Sequence, residues 1–411
     1  MLKLGSIIKG SHGEQWRIQQ KLGEGRCCEV YKVQTLDEHI QAAARVYRAE
    51  FGFVCKRELN LLKTIRQSAV DCKHFTAVLD CLTVDGRSVV LQELLDLCLN
   101  HIQMMADNQG MSLYHLHKFA SDLARALSVL HGCGYVHADL KPSNIMWSSQ
   151  DSCLKLIDFG LSFHLSKERD IGEVQSKNYR APEVVEKIGS PFKQPALTAA
   201  IDLWSLGCLL MWVLTGQKVA ALWGQPVHGL SGYCENCKVS GSVERCQYEV
   251  RVQQQLTSFW DEDKNTEVQE KFKDLVKWLF QCQSNRRLTI PAVLEHSFLS
   301  AEIVPEYCDL LLLPTAVLRI LNALDKKDLA ASQEYIEDLK QAIVEECEKY
   351  GPISRCLIPL SREGCGKIYV CYEQSSSSQT AFEKLNGSTL NDHTVITTYY
   401  PPDLIQKEKF L

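Results

Sequence analysis

No run of apolar residues in this 411-residue chain approaches the roughly 20 that a membrane-spanning helix needs. The longest, around Leu203–Leu214, is interrupted by Ser205, so no transmembrane segment and no membrane partner are expected. Glycine and proline are scarce, 23 and 12 residues, which excludes collagen-like and low-complexity chains. An excess of positive charge is missing too. Lys and Arg total 45 against 50 Asp and Glu, a net charge of −5. From Pro305 onward there are 11 basic and 16 acidic residues, whereas the preceding part balances at 34 of each. The negative excess therefore sits wholly in the last quarter, opposite in sign to the basic face of a nucleic-acid binder. Before Lys9 and His12 the N-terminus has too little apolar length for a secretory signal, and neither end carries a lipidation motif. A nuclear and cytoplasmic location is the expectation. Cysteine, by contrast, is abundant at 18 residues. Scattered through apolar stretches of a chain with no export signal, these read as free buried thiols rather than bridges. With 45% apolar and 23% charged residues, the chain is an ordinary globular protein of two or three domains.

Periodicity divides the chain in three. LGEGRCCEVYKVQ (Leu22–Gln34) and QAAARVYRA (Gln41–Ala49) read as strands around a glycine-rich hairpin. Phe53–Ile65 has helical spacing with Glu58 in its midst, and VVLQELL (Val89–Leu95) reads as a buried strand. Helical periods then dominate: Leu113–Leu130, Asp202–Leu214, Gln269–Gln281 and Ile290–Leu299. The last hundred residues read strand Val317–Leu324, helix Glu334–Tyr350, strands Ile353–Leu360 and Lys367–Tyr372, helix Ser378–Leu385 and strand Thr394–Tyr400. That βαββαβ order is a split βαβ sandwich. Ser375–Ser378 read as a loop and helix cap.

Chemistry is concentrated between Gly23 and Glu183. GYVHADLKPSNIMW supplies Asp139, Lys141 and Asn144, and IDFG supplies Asp158. Phosphoryl transfer needs such a set: a carboxylate to accept the acceptor hydroxyl's proton, an amide and a second carboxylate for a metal, and a lysine to offset charge. With YRAPE (Tyr179–Glu183), DLWSLG (Asp202–Gly207) and NRRLT (Asn285–Thr289) in order, the sequence resembles the protein kinase family over about residues 16–300. The resemblance implies an N-lobe of about 16–95 and a C-lobe of about 96–300. It implies ATP and Mg²⁺ as cofactors, with Asp139 as catalytic base, Lys141 as charge stabiliser, and Asn144 and Asp158 as magnesium ligands. Leu22, Gly23, Gly25, Val30, Arg45 and its partner Glu58 would contact or organise the nucleotide, and Gln92, Glu93 and Leu95 would line the adenine site. It also implies that Asp202 buttresses the catalytic loop and that Glu183 pairs with Arg287.

Several positions depart from the family pattern. AAAR (Ala42–Arg45) puts Arg45 where the phosphate-anchoring lysine belongs, exchanging a compact ammonium for a planar fork. Lys32 on the preceding strand is a conceivable substitute. Cys28 stands at the third glycine position. Ala138 replaces the arginine of the His-x-Asp motif, which implies independence from activation-loop phosphorylation. Lys141 matches the serine/threonine branch, and Arg180 resembles the proline-directed kinases. An insert at about 223–259 carries Cys234-x-x-Cys237, Cys246 and His228, a set that would suit zinc. Without a second Cys-x-x-Cys, a cysteine-bearing surface loop is the plainer reading.

After a linker at 301–314, residues 315–403 resemble RNA-recognition-like domains, with Arg319 and Lys367 in place of base-stacking aromatics and Tyr369 left alone. LLPTAVLRILNALD and EECEKYGPI resemble the splicing-factor homology motifs (UHM), which bind tryptophan-containing peptides rather than RNA. Kinase plus UHM domain together resemble the UHM kinase family, kinases interacting with stathmin, over nearly the whole chain. The family's Arg-x-Phe is replaced by Ser388-Thr389-Leu390, which implies weakened capture of the tryptophan. Glu337, Asp338, Glu345 and Glu346 would attract a basic peptide, or simply form a solvated helix face. The fold expected is therefore α+β, a two-lobed kinase followed by a βαββαβ UHM domain. The expected function is serine/threonine phosphorylation of protein substrates with recruitment of splicing factors, direct RNA binding not being expected. The alternative is a pseudokinase scaffold disabled by Arg45.

Overall fold

A computed structural model describes all residues except 1, 38, 69–70, 167–171, 190–195, 218–233, 239–245, 261–265, 325–327, 329–331, 360–363 and 391–392. His228 and much of the insert's first half lie outside the described residues. The chain divides into two compact units, Met1–Met146 with Leu154–Ile303, and Trp147–Cys153 with Val304–Leu411.

The first unit opens with strands β1 (Ile7–Lys9), β2 (Gln15–Glu24), β3 (Cys28–Thr35), β4 (Gln41–Tyr47), β5 (Val78–Val84) and β6 (Arg87–Glu93), in the sheet order β1-β2-β3-β4-β6-β5. Alternation along β3 and β4 sends Tyr31, Val33, Ala42, Ala44 and Val46 into one core with Trp16, Ile18 and Leu91. The opposite face meets helix Gly52–Ser68, where Tyr47, Val54, Cys55 and Val90 cluster. A helical part follows. Helix Leu113–Gly132 is capped by Ser112, whose Oγ accepts from the His115 N–H. Helix Ala200–Thr215 has every residue from Ile201 to Leu214 buried, which explains why its sequence is apolar all round rather than striped. It stops at Gly216, in the left-handed region at φ 68°, where a Cβ would stand 1.9 Å from the Asn108 carbonyl oxygen. Helix Glu267–Leu279 starts with a reciprocal capping box between Thr266 and Gln269. The last helical stretch ends at Leu294 rather than Leu299.

The second unit is built on the antiparallel sheet β9-β10-β8-β11, where β8 is Val317–Leu321, β9 Ile353–Leu357, β10 Ile368–Tyr372 and β11 Ile396–Tyr399; the short strands β7 (Leu97–Cys98), Tyr135–Val136, Ile145–Ser148, Cys153–Leu156 and Phe163–His164 belong to earlier chain and are cited by range. Helices Gln333–Glu348 and Ser375–Leu385 complete the expected order, and their apolar sides share a core with Leu318, Ile320, Ile368 and Val370. Several boundaries move: the strand expected at Ile353–Leu360 stops at Leu357 and the one expected from Thr394 begins at Ile396. The first strand stops at Leu321 instead of Leu324. Ser375–Ser378 form the first turn of a helix whose N-cap is Gln374, with the Ser378 Oγ–H donating to the carbonyls of Thr315 and Ser375. The Trp147 indole N–H donates to Pro314 O at 2.7 Å, and Gln150 bridges Glu373 O and the Ser375 N–H, tying 147–153 into this unit.

The other sheet face is covered by the chain itself. Tyr369 is fully buried, packed on Tyr400 and Phe410, and its hydroxyl donates to Leu411 O at 3.0 Å. Arg319 is buried beside them, donating to Thr398 Oγ1 at 3.0 Å and to Leu411 O at 2.7 Å. Leu390, in the short hairpin Thr389–Leu390 with His393–Thr394, packs against the domain core.

Candidate active site

Strand register builds the upper half of the site. Gly23 pairs with Val30, Val30 with Arg45 and Arg45 with Val90, so Val30 and Arg45 stand in one row on the helix-facing side of the sheet. Lys32 lies on that same side, two residues further along β3. Leu22 is exposed at the hairpin's rim, and the Gly25 N–H closes the turn onto Cys28 O at 2.9 Å.

Arg45 meets Glu58, which helix Gly52–Ser68 presents from its buried side. Nη1 donates to Glu58 Oε2 at 2.9 Å, and Nη2 reaches Glu58 Oε1 at 3.5 Å and Asp158 Oδ1 at 3.4 Å. The Tyr47 hydroxyl donates to the same Glu58 carboxylate and its ring lies beneath the Arg45 guanidinium. Burial pushes the Glu58 carboxyl up to about 7, against the pull of Arg45 and with Asp158 adding repulsion. Burial pushes the Asp158 carboxyl up as well, but the Arg45 guanidinium together with hydrogen bonds from Glu58 and the Gly160 N–H and the field of His137 holds it below its ordinary value. Arg45 thus pairs with Glu58 and adds a bond to Asp158.

Glu93 is placed differently from a simple lining residue. Its carboxylate accepts from Lys155 Nζ on both oxygens at 2.8 Å and from the Ala77 N–H at 2.6 Å, which engages the side chain and leaves the main chain as the part that could meet a nucleotide. Leu95 and Gln92 are buried beside it.

The lower half is the loop from His137 to Asn144. Asp202 carries it: Oδ2 accepts from the His137 N–H at 2.8 Å and from His131, and Oδ1 accepts from the Ala138 N–H at 2.9 Å. Ala138, held at φ 63°, sends its carbonyl to the Gln175 N–H at 2.8 Å. The segment that an arginine and a phosphate could have joined is therefore joined by main chain. Asp139 gathers three donors: Lys141 Nζ at 2.6 Å and Asn144 Nδ2 at 3.0 Å on Oδ2, and Ser176 Oγ at 2.8 Å on Oδ1. Asn144 Nδ2 also donates to Asp139 O at 2.9 Å, so both amide hydrogens are spent and the carbonyl oxygen is what Asn144 keeps for a cation. With the Asp158 carboxylate this is an oxygen donor set of the kind magnesium takes. Phe159 is buried against His137 and Phe75, which keeps Asp158 turned into the site.

Ser176 and Gln175 escaped the sequence reading, although their place shortly before Tyr179 could have flagged them. Gln175 is a non-glycine residue at φ 60°, a conformation that costs about 1–2 kcal/mol. Its side chain offsets that strain with bonds to Ile201 O, Ser205 Oγ and the Ala181 N–H at 2.8–2.9 Å. The turn delivers the Gln175 carbonyl to Arg180 Nε at 2.9 Å. Beneath lies the buried pair of Arg287 with Glu183, at 2.6 and 2.7 Å.

Comparison with known proteins agrees with this geometry. Residues 16–299 match the protein kinase domain family and residues 339–396 the RNA recognition motif family. The second match omits β8, which the sheet pairing supplies. The serine/threonine-protein kinases Kist of Homo sapiens and Mus musculus are 31% identical over 410 residues, covering 95% of this chain and 92% of theirs. The dual specificity tyrosine-phosphorylation-regulated kinase mbk-2 of Caenorhabditis elegans is 31% identical over half of this chain and a quarter of its own. Since the kinase match spans most of the sequence and the Kist proteins align from end to end, this chain belongs to the protein kinase family, in its serine/threonine branch, with an RNA-recognition-like domain following the kinase domain.

Proposed function

We propose that the protein transfers the γ-phosphate of ATP to serine or threonine hydroxyls of protein substrates, within a kinase domain of about residues 16–300. The observation that carries this reading is the convergence of Lys141, Asn144 and Ser176 on Asp139, with Arg45 closed onto Glu58 beside Asp158. Asn144 and Asp158 would hold Mg²⁺, which offsets phosphate charge when bound. Asp139, set among three donors, accepts the proton of the acceptor hydroxyl at a carboxylate oxygen. Lys141 stands 2.6 Å away to balance charge. Leu22, Gly23, Gly25, Val30 and the main chain at Glu93 and Leu95 would hold the nucleotide. The Gln175 carbonyl, taken by Arg180, is closed to the N–H of the residue after the acceptor, and proline loses nothing there because it has none. This supports a Ser/Thr-Pro preference.

One observation favours a second reading, a scaffold with idle chemistry: Arg45 divides its fork between two carboxylates. Five N–H donors leave enough for a phosphate, so activity is the expected outcome. Phosphate transfer to a Ser/Thr peptide library should be measurable in the parent, favour Ser-Pro over Ser-Ala, and change by less than about tenfold in Arg45→Lys, since charge and the Glu58 pair persist. A silent parent, revived or not by that substitution, would overturn the enzyme reading.

We further propose that residues 315–403, after a linker at 301–314, recruit splicing factors through tryptophan-containing peptides, in the nucleus and cytoplasm. Glu337, Asp338 and Glu345 are exposed on one helix and suit a basic flank, while burial of Tyr369 and Arg319 under the C-terminal residues argues against base stacking. Binding of a basic tryptophan peptide by the full chain should weaken at least about tenfold when its tryptophan becomes alanine, and strengthen in the Ser388→Arg, Leu390→Phe double variant. Equal binding of the alanine peptide would defeat the idea.

A further inference from the structure

The insert holds three of the four members of an unassigned cluster. Cys234, Cys237, Cys246 and Cys282 come from three separate segments, and their sulfurs all lie within 4.8 Å of one another. Relative exposures are 5%, 9%, 3% and 0%, so the cluster is almost wholly removed from solvent, Cys237 being its most accessible member. We propose that these four cysteines bind one structural zinc ion, a site the sequence could not complete because Cys282 lies beyond helix Glu267–Leu279, far from the Cys-x-x-Cys.

Three observations favour a metal over plain packing. The spacing is the first: a tetrahedral tetrathiolate with Zn–S of about 2.3 Å puts its sulfurs about 3.8 Å apart, and Cys234 and Cys246 stand at 4.0 Å. All four thiols are free, and that separation is twice the roughly 2.05 Å of a disulfide. The second is the local geometry of the segments. Cys234 precedes the single turn Glu235–Lys238 and Cys237 lies within it, the Cys237 N–H donating to Cys234 O at 2.9 Å, and Cys246 stands at the N-cap of helix Gln247–Phe259. Two residues three apart on one turn and one residue at a helix start thereby converge with Cys282. The third is the set of main-chain donors. The Cys234 N–H points at Cys282 Sγ at 3.3 Å and the Gln247 N–H at Cys234 Sγ at 3.4 Å, bonds that neutral buried thiols do not require and that offset the charge of ligating thiolates.

Binding would replace S–H by S–Zn bonds, release the thiol protons to solvent and involve no change of oxidation state. Its consequence is mechanical. Arg287 donates to Cys282 O at 2.9 Å and to Gln281 O at 2.7 Å, so the ion pins the insert to the segment that positions the Arg287–Glu183 pair.

The test is metal analysis of the full chain purified under reducing conditions without chelator. About one zinc per chain is expected, falling below about a tenth in Cys246→Ala and Cys282→Ala. Cobalt(II) exchanged into the parent should give the intense visible bands of tetrahedral thiolate coordination. Should the variants fail to fold, alkylation of the parent mapped by mass spectrometry decides: the four thiols should be protected until a chelator is added, and then react together. The proposal fails if zinc is absent both as isolated and after incubation with zinc and reductant, if Cys282→Ala keeps its full zinc, if iron occupies the site, if chelator leaves the thiols' reactivity unchanged, or if a disulfide links any two of them.

Discussion

Asp139→Asn lowers kcat for phosphate transfer by about a hundred- to ten-thousandfold, the range that loss of a positioned general base commands, while nucleotide affinity changes little. The reason is double. An amide cannot take up the acceptor's proton, and it offers one accepting oxygen where the carboxylate now serves Ser176 on one side and Lys141 and Asn144 on the other. One of those donors must face an NH₂ group, so the loop loses registration as well as basicity. Radiolabelled transfer to the peptide library, with calorimetric titration of ATP–Mg²⁺ on the same preparations, separates the two quantities. Retention of more than about a tenth of the parent kcat would remove Asp139 from the base's role.

The largest effect on stability is expected at Arg287. Its side chain is 0% exposed and that of Glu183 1%, and the fork spends two donors on the carboxylate and others on the carbonyls of Gln281, Ala200 and Cys282. The guanidinium also lies over the Trp204 ring. Arg287→Ala leaves a buried carboxylate unpaired, which costs about 3–5 kcal/mol. A fall in melting temperature of roughly 10 °C follows for a domain of this size. Adding Glu183→Ala should recover part of the loss, because much of the penalty is the stranded charge rather than the missing attraction. Arg287→Lys should not recover it, since a single ammonium cannot span both oxygens. Thermal denaturation of the three variants followed by circular dichroism measures this. A melting point for Arg287→Ala within about 2 °C of the parent would mean that the pair is not a fold-holding element.

Much of this could be read from the amino acids alone. Phosphoryl transfer demands particular residue types, so the order of Asp139, Lys141, Asn144 and Asp158 points to the kinase fold without any tertiary contact. Alternating and helical periods mark the glycine-rich hairpin, the helix around Gln269–Gln281 and the βαββαβ order, because burial on one face imposes those periods locally, whereas Leu203–Leu214, buried on every side, shows only as an apolar run. Element ends were less legible: Ser375–Ser378 enter a helix because Ser378 finds the distant Thr315 carbonyl, which no local propensity encodes.

What tertiary structure decided are the matters that depend on residues far apart in the chain. That Glu58 and Asp158 arrive within reach of one guanidinium, Arg45's, is such a matter. The strained Gln175 gained its meaning from Arg180, Ser205 and Ile201, and the fate of Tyr369 from the residues near Leu411 that bury it. Cys282 joined the insert's cysteines only through packing. Residue type and local period are properties of short windows and are written in the sequence; convergence of groups from separate segments is set by the free energy of the whole packed chain, and that appears only when it folds.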